Sequence, residues 1–164
     1  MRVVSNTSPI CYLILIGEIG LLHELYGQVE IPEFVASEFA KSETPESVRA
    51  WIANPPEWLC RHHDPPRPAL FPSGIHLGEW LAVSLSEELK ASLLIMDDLS
   101  GRDFAEERGI NTVGTIGVLL AAGDRGLTDA RGAVQKLFAT TFFISEELQA
   151  MLERRLGCTF IRSP

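Results

Sequence analysis

Short apolar runs of strand length recur along the chain, each followed by a stretch with helical patterning, and this alternation limits the folds open to it. Arg2–Ser5, Val29–Ile31, Ser92–Met96 and Ile110–Val113 read as buried strands, with Trp58-Leu59 as a brief edge strand. Between them Ile10–Ile16 reads as a buried helix closed by Gly17. Glu18–Tyr26 places Ile19, Leu21, Leu22 and Leu25 largely on one face. Further helices are expected from Pro32 to Phe39, over Val48–Ala53 with a cap near Ser42, and over Glu79–Leu89, where Leu81, Leu85 and Leu89 share a face. Gly101–Arg108, Thr115–Ala122, Ala130–Phe138 and Ser145–Leu156 complete the series. Strands too short and too apolar to face water, separated by helices, imply a parallel sheet covered on both faces.

Nothing in the chain divides this order. The prolines at 55, 56, 65, 66, 68 and 72 stiffen a loop, but no linker is long or polar enough to mark a boundary. A length of 164 residues fits one domain, and 46% apolar with 22% charged residues is the composition of an ordinary soluble globule. The longest apolar stretches, Ile10–Ile16 and Val118–Ala122, fall well short of the roughly 18–20 residues that span a bilayer. No signal peptide is expected behind Met1-Arg2, and no membrane association. Cys11, Cys60 and Cys158 are odd in number and lack CxxC spacing, so free thiols and a cytoplasmic location are expected. The net charge of -8 excludes a broad basic face for polyanions; any grip on nucleic acid must be local or supplied by a partner.

In a wound parallel sheet, ligands bind beyond the carboxyl ends of the strands. The first strand ends in Ser5-Asn6-Thr7-Ser8, and Ser92–Met96 ends in Asp97-Asp98. Glu38 and Glu79 stand on neighbouring helices and could converge on the same pocket. Carboxylates with hydroxyls make a coordination shell for hard divalent cations such as Mg²⁺ or Mn²⁺, which act on phosphodiesters. Each residue also has a duller role. Asp97-Asp98 could be turn formers, Glu79 a first-turn helix acid, Glu38 a solvated one, and Thr7 and Ser8 helix caps. His62-His63-Asp64 is expected to be simply exposed, since adjacent side chains of an extended chain point apart. No GxSxG elbow and no Gly-rich phosphate loop is present.

Taken in order, "VVSNTSPICYLILIGEIGLLHELYG", "IPEFVASEFA", "LGEWLAVSLSEELKASLLIMDD", "SGRDFAEERGINTVGTIGVLLAAGDRGL" and "FFISEELQAMLERRLG" resemble PIN-domain proteins. Within that family the chain resembles the toxin-like, VapC-type subgroup, whose opening is close to "VVSDTSPL". The resemblance implies one three-layer α/β/α sandwich over residues 1–164 with a short central parallel sheet, helices of about 130–157 packing on it. It also implies a Mg²⁺- or Mn²⁺-dependent endoribonuclease, the toxin of a toxin–antitoxin pair. The implied site is Asn6, Glu38, Glu79 and Asp97, with Asp98 beside it and Thr7 or Ser8 in support; the choice between Asp97 and Asp98 stays open. RNA, a cognate antitoxin and a homodimer through the early apolar helices are the partners implied, with Arg102 and Arg108 as possible phosphate contacts.

Two departures from the family pattern matter. Leu81 stands where an acid is common, behind Trp80 in place of a small residue. Asn6 stands where the family has Asp. An amide oxygen can still coordinate a cation, but it carries no charge and cannot act as a base. The amide fits either a nuclease weakened in nature or a deliberate Asp→Asn exchange that lets a host tolerate a toxic enzyme, the latter slightly favoured. The rival class is a catalytically silent PIN fold that binds or regulates. A phosphoryl acceptor of response-regulator type would need an aspartate where Asn6 stands.

Overall fold

Five short strands run parallel in the spatial order β3-β2-β1-β4-β5. They are β1 (Val3–Ser5), β2 (Val29–Pro32), β3 (Leu59–His62), β4 (Leu93–Ile95) and β5 (Thr112–Val113). The computed structural model describes residues 1–162. Nine helices among these residues connect and cover the sheet: α1 (Thr7–Leu15), α2 (Gly20–Tyr26), α3 (Glu33–Glu38), α4 (Glu46–Ala53), α5 (Leu77–Leu89), α6 (Leu99–Glu107), α7 (Thr115–Asp124), α8 (Ala130–Phe138) and α9 (Glu146–Leu156). None of the described helices is alone long and apolar enough to cross a membrane.

Strand alternation divides the core into two layers. Val3 and Ile95 point into the larger one, with Ile10, Leu13, Leu22, Val35, Leu119 and Leu137 from the helices on that side. Val4 and Leu94 point the other way, against Ala82, Val83 and Leu85 of α5 and Ala105 of α6. Both faces of β1 are therefore fully buried, which is why its residues read as a continuous apolar run. The result is the three-layer α/β/α sandwich with a parallel central sheet. Ile10 and Leu13 of α1 and Leu21, Leu22 and Leu25 of α2 are buried inside it, while Leu15 of α1 is exposed.

Several boundaries differ from the sequence expectation for local reasons. Helix α1 begins at Thr7, so Pro9 falls inside its first turn, where a missing N–H costs nothing. Helix α4 is entered from Pro45 rather than capped by Ser42, which lies in the turn before it. Helix α6 begins at Leu99 because the Asp98 carboxylate caps it, accepting from the Gly101 N–H at 2.8 Å. The thiols of Cys11, Cys60 and Cys158 are free.

The reading of His62-His63-Asp64 as simply exposed needs correction. Strand β3 continues to His62, and its register against β2 pairs Cys60 with Glu30 and His62 with Pro32. Glu30 and His62 thus share a sheet face, with His62 Nε2 2.7 Å from Glu30 Oε2, a carboxylate only 10% exposed. Asp64 accepts the Phe34 N–H at 2.8 Å and so secures the first turn of α3. His63 alone is fully exposed, 3.5 Å from Glu33. Removing one partner of a buried polar pair costs more than removing both. His62→Ala is expected to lower stability by about 1–3 kcal/mol in urea unfolding. Adding Glu30→Leu should recover part of that loss, measured as a double-mutant cycle.

Candidate functional site

β1 and β4 lie side by side, with Ser5 paired to Ile95, yet the chain leaves them in opposite directions. After β1 it passes through α1 and α2 to β2 on one side; after β4 it passes through α6 to β5 on the other. The two exits part at the carboxyl edge and open a crevice there. Asn6 follows β1, Asp97-Asp98 follow β4, and the Asn6 N–H is tied to the Ile95 carbonyl at 2.9 Å. Helices α3 and α5 pack together and bring Glu38 and Glu79 to the same opening.

Two glycines mark how closely these groups gather. A Cβ on Gly78 would lie 3.2 Å from Glu38 Oε2, 3.6 Å from Asn6 Oδ1 and 3.6 Å from Phe34 Cε1. One on Gly101 would lie 3.4 Å from Glu79 Cγ and 3.6 Å from Asp98 Oδ2. Glu38 and Asn6 thus meet at Gly78, and Glu79 and Asp98 meet at Gly101. The charges of both Glu38 and Asp98 reach the Glu79 carboxyl, which ties the two sets together. The Thr7 hydroxyl donates to Glu38 Oε2, and Lys41 Nζ stands 3.8 Å from Glu38 Oε1. Ser8 is exposed on α1.

Glu79 is 7% exposed and its Oε2 accepts the His76 N–H at 2.9 Å, half of a capping box at the start of α5. The helix-acid role is real, and it leaves Oε1 for another partner. Burial pushes the Glu79 carboxyl above its ordinary range; the His76 N–H opposes that rise, and the charges of Asp98 and Glu38 add to it. Asp98 spends Oδ2 on its cap and keeps Oδ1. Asn6, 9% exposed, has a buried Oδ1 with no hydrogen-bond donor among the described residues.

Asp97 faces elsewhere. Its Oδ1 accepts the Thr115 N–H and its Oδ2 the Thr115 hydroxyl, each at 2.7 Å, so it clamps the start of α7 to the end of β4. Burial raises its carboxyl, while the Thr115 donors and the Arg102 charge work against that rise. Of the two aspartates, Asp98 is the one beside Glu79. Arg102 lies near Asp97 and bonds Thr112 through Nε at 3.1 Å. Arg108 is engaged with Glu87 at 2.9 Å. Sequence reasoning missed Gly78 and Phe34 as walls of the crevice and His76 and Thr115 as its anchors; the Gly-Thr at the head of α7 was the available signal for Thr115.

The donor set suits a hard divalent cation. An orphaned buried amide oxygen and one spare oxygen each on Glu79 and Asp98 are all hard ligands. Among the described residues no three His, Cys, Asp or Glu side chains are grouped so that they could hold a metal ion between them. An ion that keeps several waters, as Mg²⁺ does, needs only one or two carboxylates.

Comparisons with known proteins bear on this crevice. The profile of a family described as "DUF3368: PIN domain" matches residues 2–157. Among solved structures, the chain is similar to a PilT N-terminus domain protein from the hyperthermophilic archaeon Sulfolobus solfataricus P2. The TM-score is 0.54 at 20% identity, over 74% of this chain and 93% of that one. At that identity the likeness speaks for the fold alone. No curated protein matches the chain.

The Asp97 clamp has a pH signature. A carboxyl raised on folding favours the folded state below its ordinary value of 3.8, and that contribution is lost as pH rises through the folded value. The Thr115 donors limit the loss. Thr115→Val removes one of them and is expected to cost about 1–3 kcal/mol at pH 7. The cost should shrink below pH 3.8, where Asp97 is protonated. Urea unfolding across that range checks the slope.

Proposed function

Because the chain belongs to the PIN-domain family, we propose that it is a divalent-metal-dependent endoribonuclease of the toxin type, held below full activity by the amide at position 6. PIN domains are generally nucleases and typically use divalent metal ions. The orphaned buried Asn6 Oδ1, opening into a crevice bordered by Glu38, Glu79 and Asp98, carries the reading. A buried acceptor without a donor costs stability, and a cation relieves that cost together with the repulsion among the three carboxylates.

Asn6, Glu79 and Asp98 would hold the ion, each through an oxygen not already committed to the backbone. Bound there, Mg²⁺ or Mn²⁺ supplies two things: an acidified water and neutralised charge on the scissile phosphate. Glu38, held by Thr7 at Oε2 and drawn toward Lys41 at Oε1, would border the ion and offer its carboxylate as acceptor for the proton of the attacking water. Thr7 and the His76 N–H act by positioning, since each fixes one oxygen of a carboxylate and so orients the other. Asp97, with both oxygens taken up by Thr115, would serve by clamping the start of α7 rather than as a ligand. A toxin of this kind would be restrained by an antitoxin that covers the crevice.

Asn6 also favours a second reading, a PIN fold retained for binding after catalysis was lost. An amide keeps the shape of the ligand and deletes one negative charge from the set. Asn6→Asp is expected to tighten Mn²⁺ binding about tenfold or more by calorimetry and to raise RNA cleavage. Glu79→Ala should abolish the calorimetric signal. If Asn6→Asp gains neither metal affinity nor turnover, the binding-module reading stands instead.

A further inference from the structure

The segment 63–76 joins β3 to α5, the helix bearing Glu79, and is anchored on the way to α3, the helix bearing Glu38. Its start is fastened by Asp64, which accepts the Phe34 N–H at 2.8 Å, and by Pro65, which is buried. Prolines at 65, 66, 68 and 72 reduce the conformations left to the rest. Arg67 is carried over the Phe34 ring, its Cζ 5.9 Å from the centroid, and Lys41 Nζ stands 6.0 Å from the same ring. Phe34 is itself a wall of the crevice, with Cε1 3.6 Å from the position a Gly78 Cβ would take. Further along, Phe71 meets Trp80 edge-on at 5.8 Å, and Trp80 directly follows Glu79. Phe71 is 41% exposed and Leu70 is 87% exposed.

We propose that this segment is a strap that grips single-stranded RNA at the mouth of the crevice, Arg67 and Lys41 contacting phosphates and the Phe71–Trp80 pair stacking against an unpaired base. The proposal rests on the nuclease reading and names how the substrate is held. A chain of net charge -8 with acids in its crevice repels a polyanion, so cations must stand where the strand enters. Two of them do, each beside the Phe34 ring: Arg67, and Lys41, which also lies 3.8 Å from Glu38 Oε1 but keeps more than half of its side chain exposed. Exposed aromatics offer a π-face to any base that is not paired, whereas a duplex keeps its bases inside the stack. Single strands are therefore the class selected.

The test is fluorescence anisotropy of the full chain with a labelled single-stranded RNA of about twelve nucleotides, with Ca²⁺ replacing Mg²⁺ so that binding is read apart from cleavage. Arg67→Ala and Lys41→Ala should each weaken binding about fivefold and flatten the salt dependence of log Kd by about 0.7. Arg67→Lys should keep most of that slope. Phe71→Ala should weaken binding about tenfold with little change in slope. Arg154→Ala, on α9, should change nothing. Thermal melts identify any variant that has lost its fold, in which case Arg67→Lys against Arg67→Ala decides. Binding that ignores Arg67 and Phe71, or duplex RNA bound as well as the single strand, overturns the strap and leaves the nuclease reading intact. A chain that binds no RNA overturns the strap, while the Asn6→Asp metal titration judges the nuclease reading separately.

Discussion

Three residues of β1 lie in register beside three of β4, Val3 against Leu93, Val4 against Leu94 and Ser5 against Ile95, and the crevice exists because of that pairing. The strands are separated by almost ninety residues of chain, and their adjacency forces the connections on either side to diverge. A strand order that did not set β1 beside β4 would leave Asn6 and Asp98 on separate parts of the sheet edge. Burial on both faces holds the pairing, since a slip of one residue would turn Val3 and Val4 to the wrong layers. The positions of Asn6 and Asp98 descend directly from this alignment, Asn6 through its N–H bond to the Ile95 carbonyl.

Around that opening the acids do double duty. Asp98 caps α6 and Glu79 completes the capping box of α5, so each uses one carboxylate oxygen on backbone N–H groups and presents the other. The local bonds orient the side chains and stop two like charges from simply swinging apart. The price is electrostatic: Glu79 is held where burial and the neighbouring acids oppose its ionisation. The buried amide oxygen of Asn6, with no donor among the described residues, adds a further acceptor to this acidic opening.

The pair Asp97-Asp98 shows why adjacent acids need not share a role. Successive side chains at a strand end point to opposite sides, so one turns to the Thr115 donors at the head of α7 and the other to Glu79. Composition treats them as equivalent, and only the placement of α7 separates them. His62 is a similar case. It looked like one of three exposed polar residues until the β2–β3 register set it beside Glu30.

Local patterning alone determined the element types, the parallel sheet and the strand ends as the place to look. Short apolar runs between amphipathic helices admit few arrangements, and ligands of such sheets lie past the carboxyl ends. The positions Asn6, Glu38, Glu79 and the aspartate pair were legible for the same reason. Tertiary structure alone decided which Glu38 oxygen is engaged, which aspartate stands beside Glu79, and that the proline-rich loop from β3 to α5 is tied to α3 on its way. The choice between the aspartates rests on Thr115, 18 residues beyond Asp97. The Glu38 oxygen and the loop's anchor rest on contacts thirty or more apart, Thr7 with Glu38 and Phe34 with Asp64. No periodicity along the chain encodes such contacts, because they arise only when separate elements are packed onto one sheet.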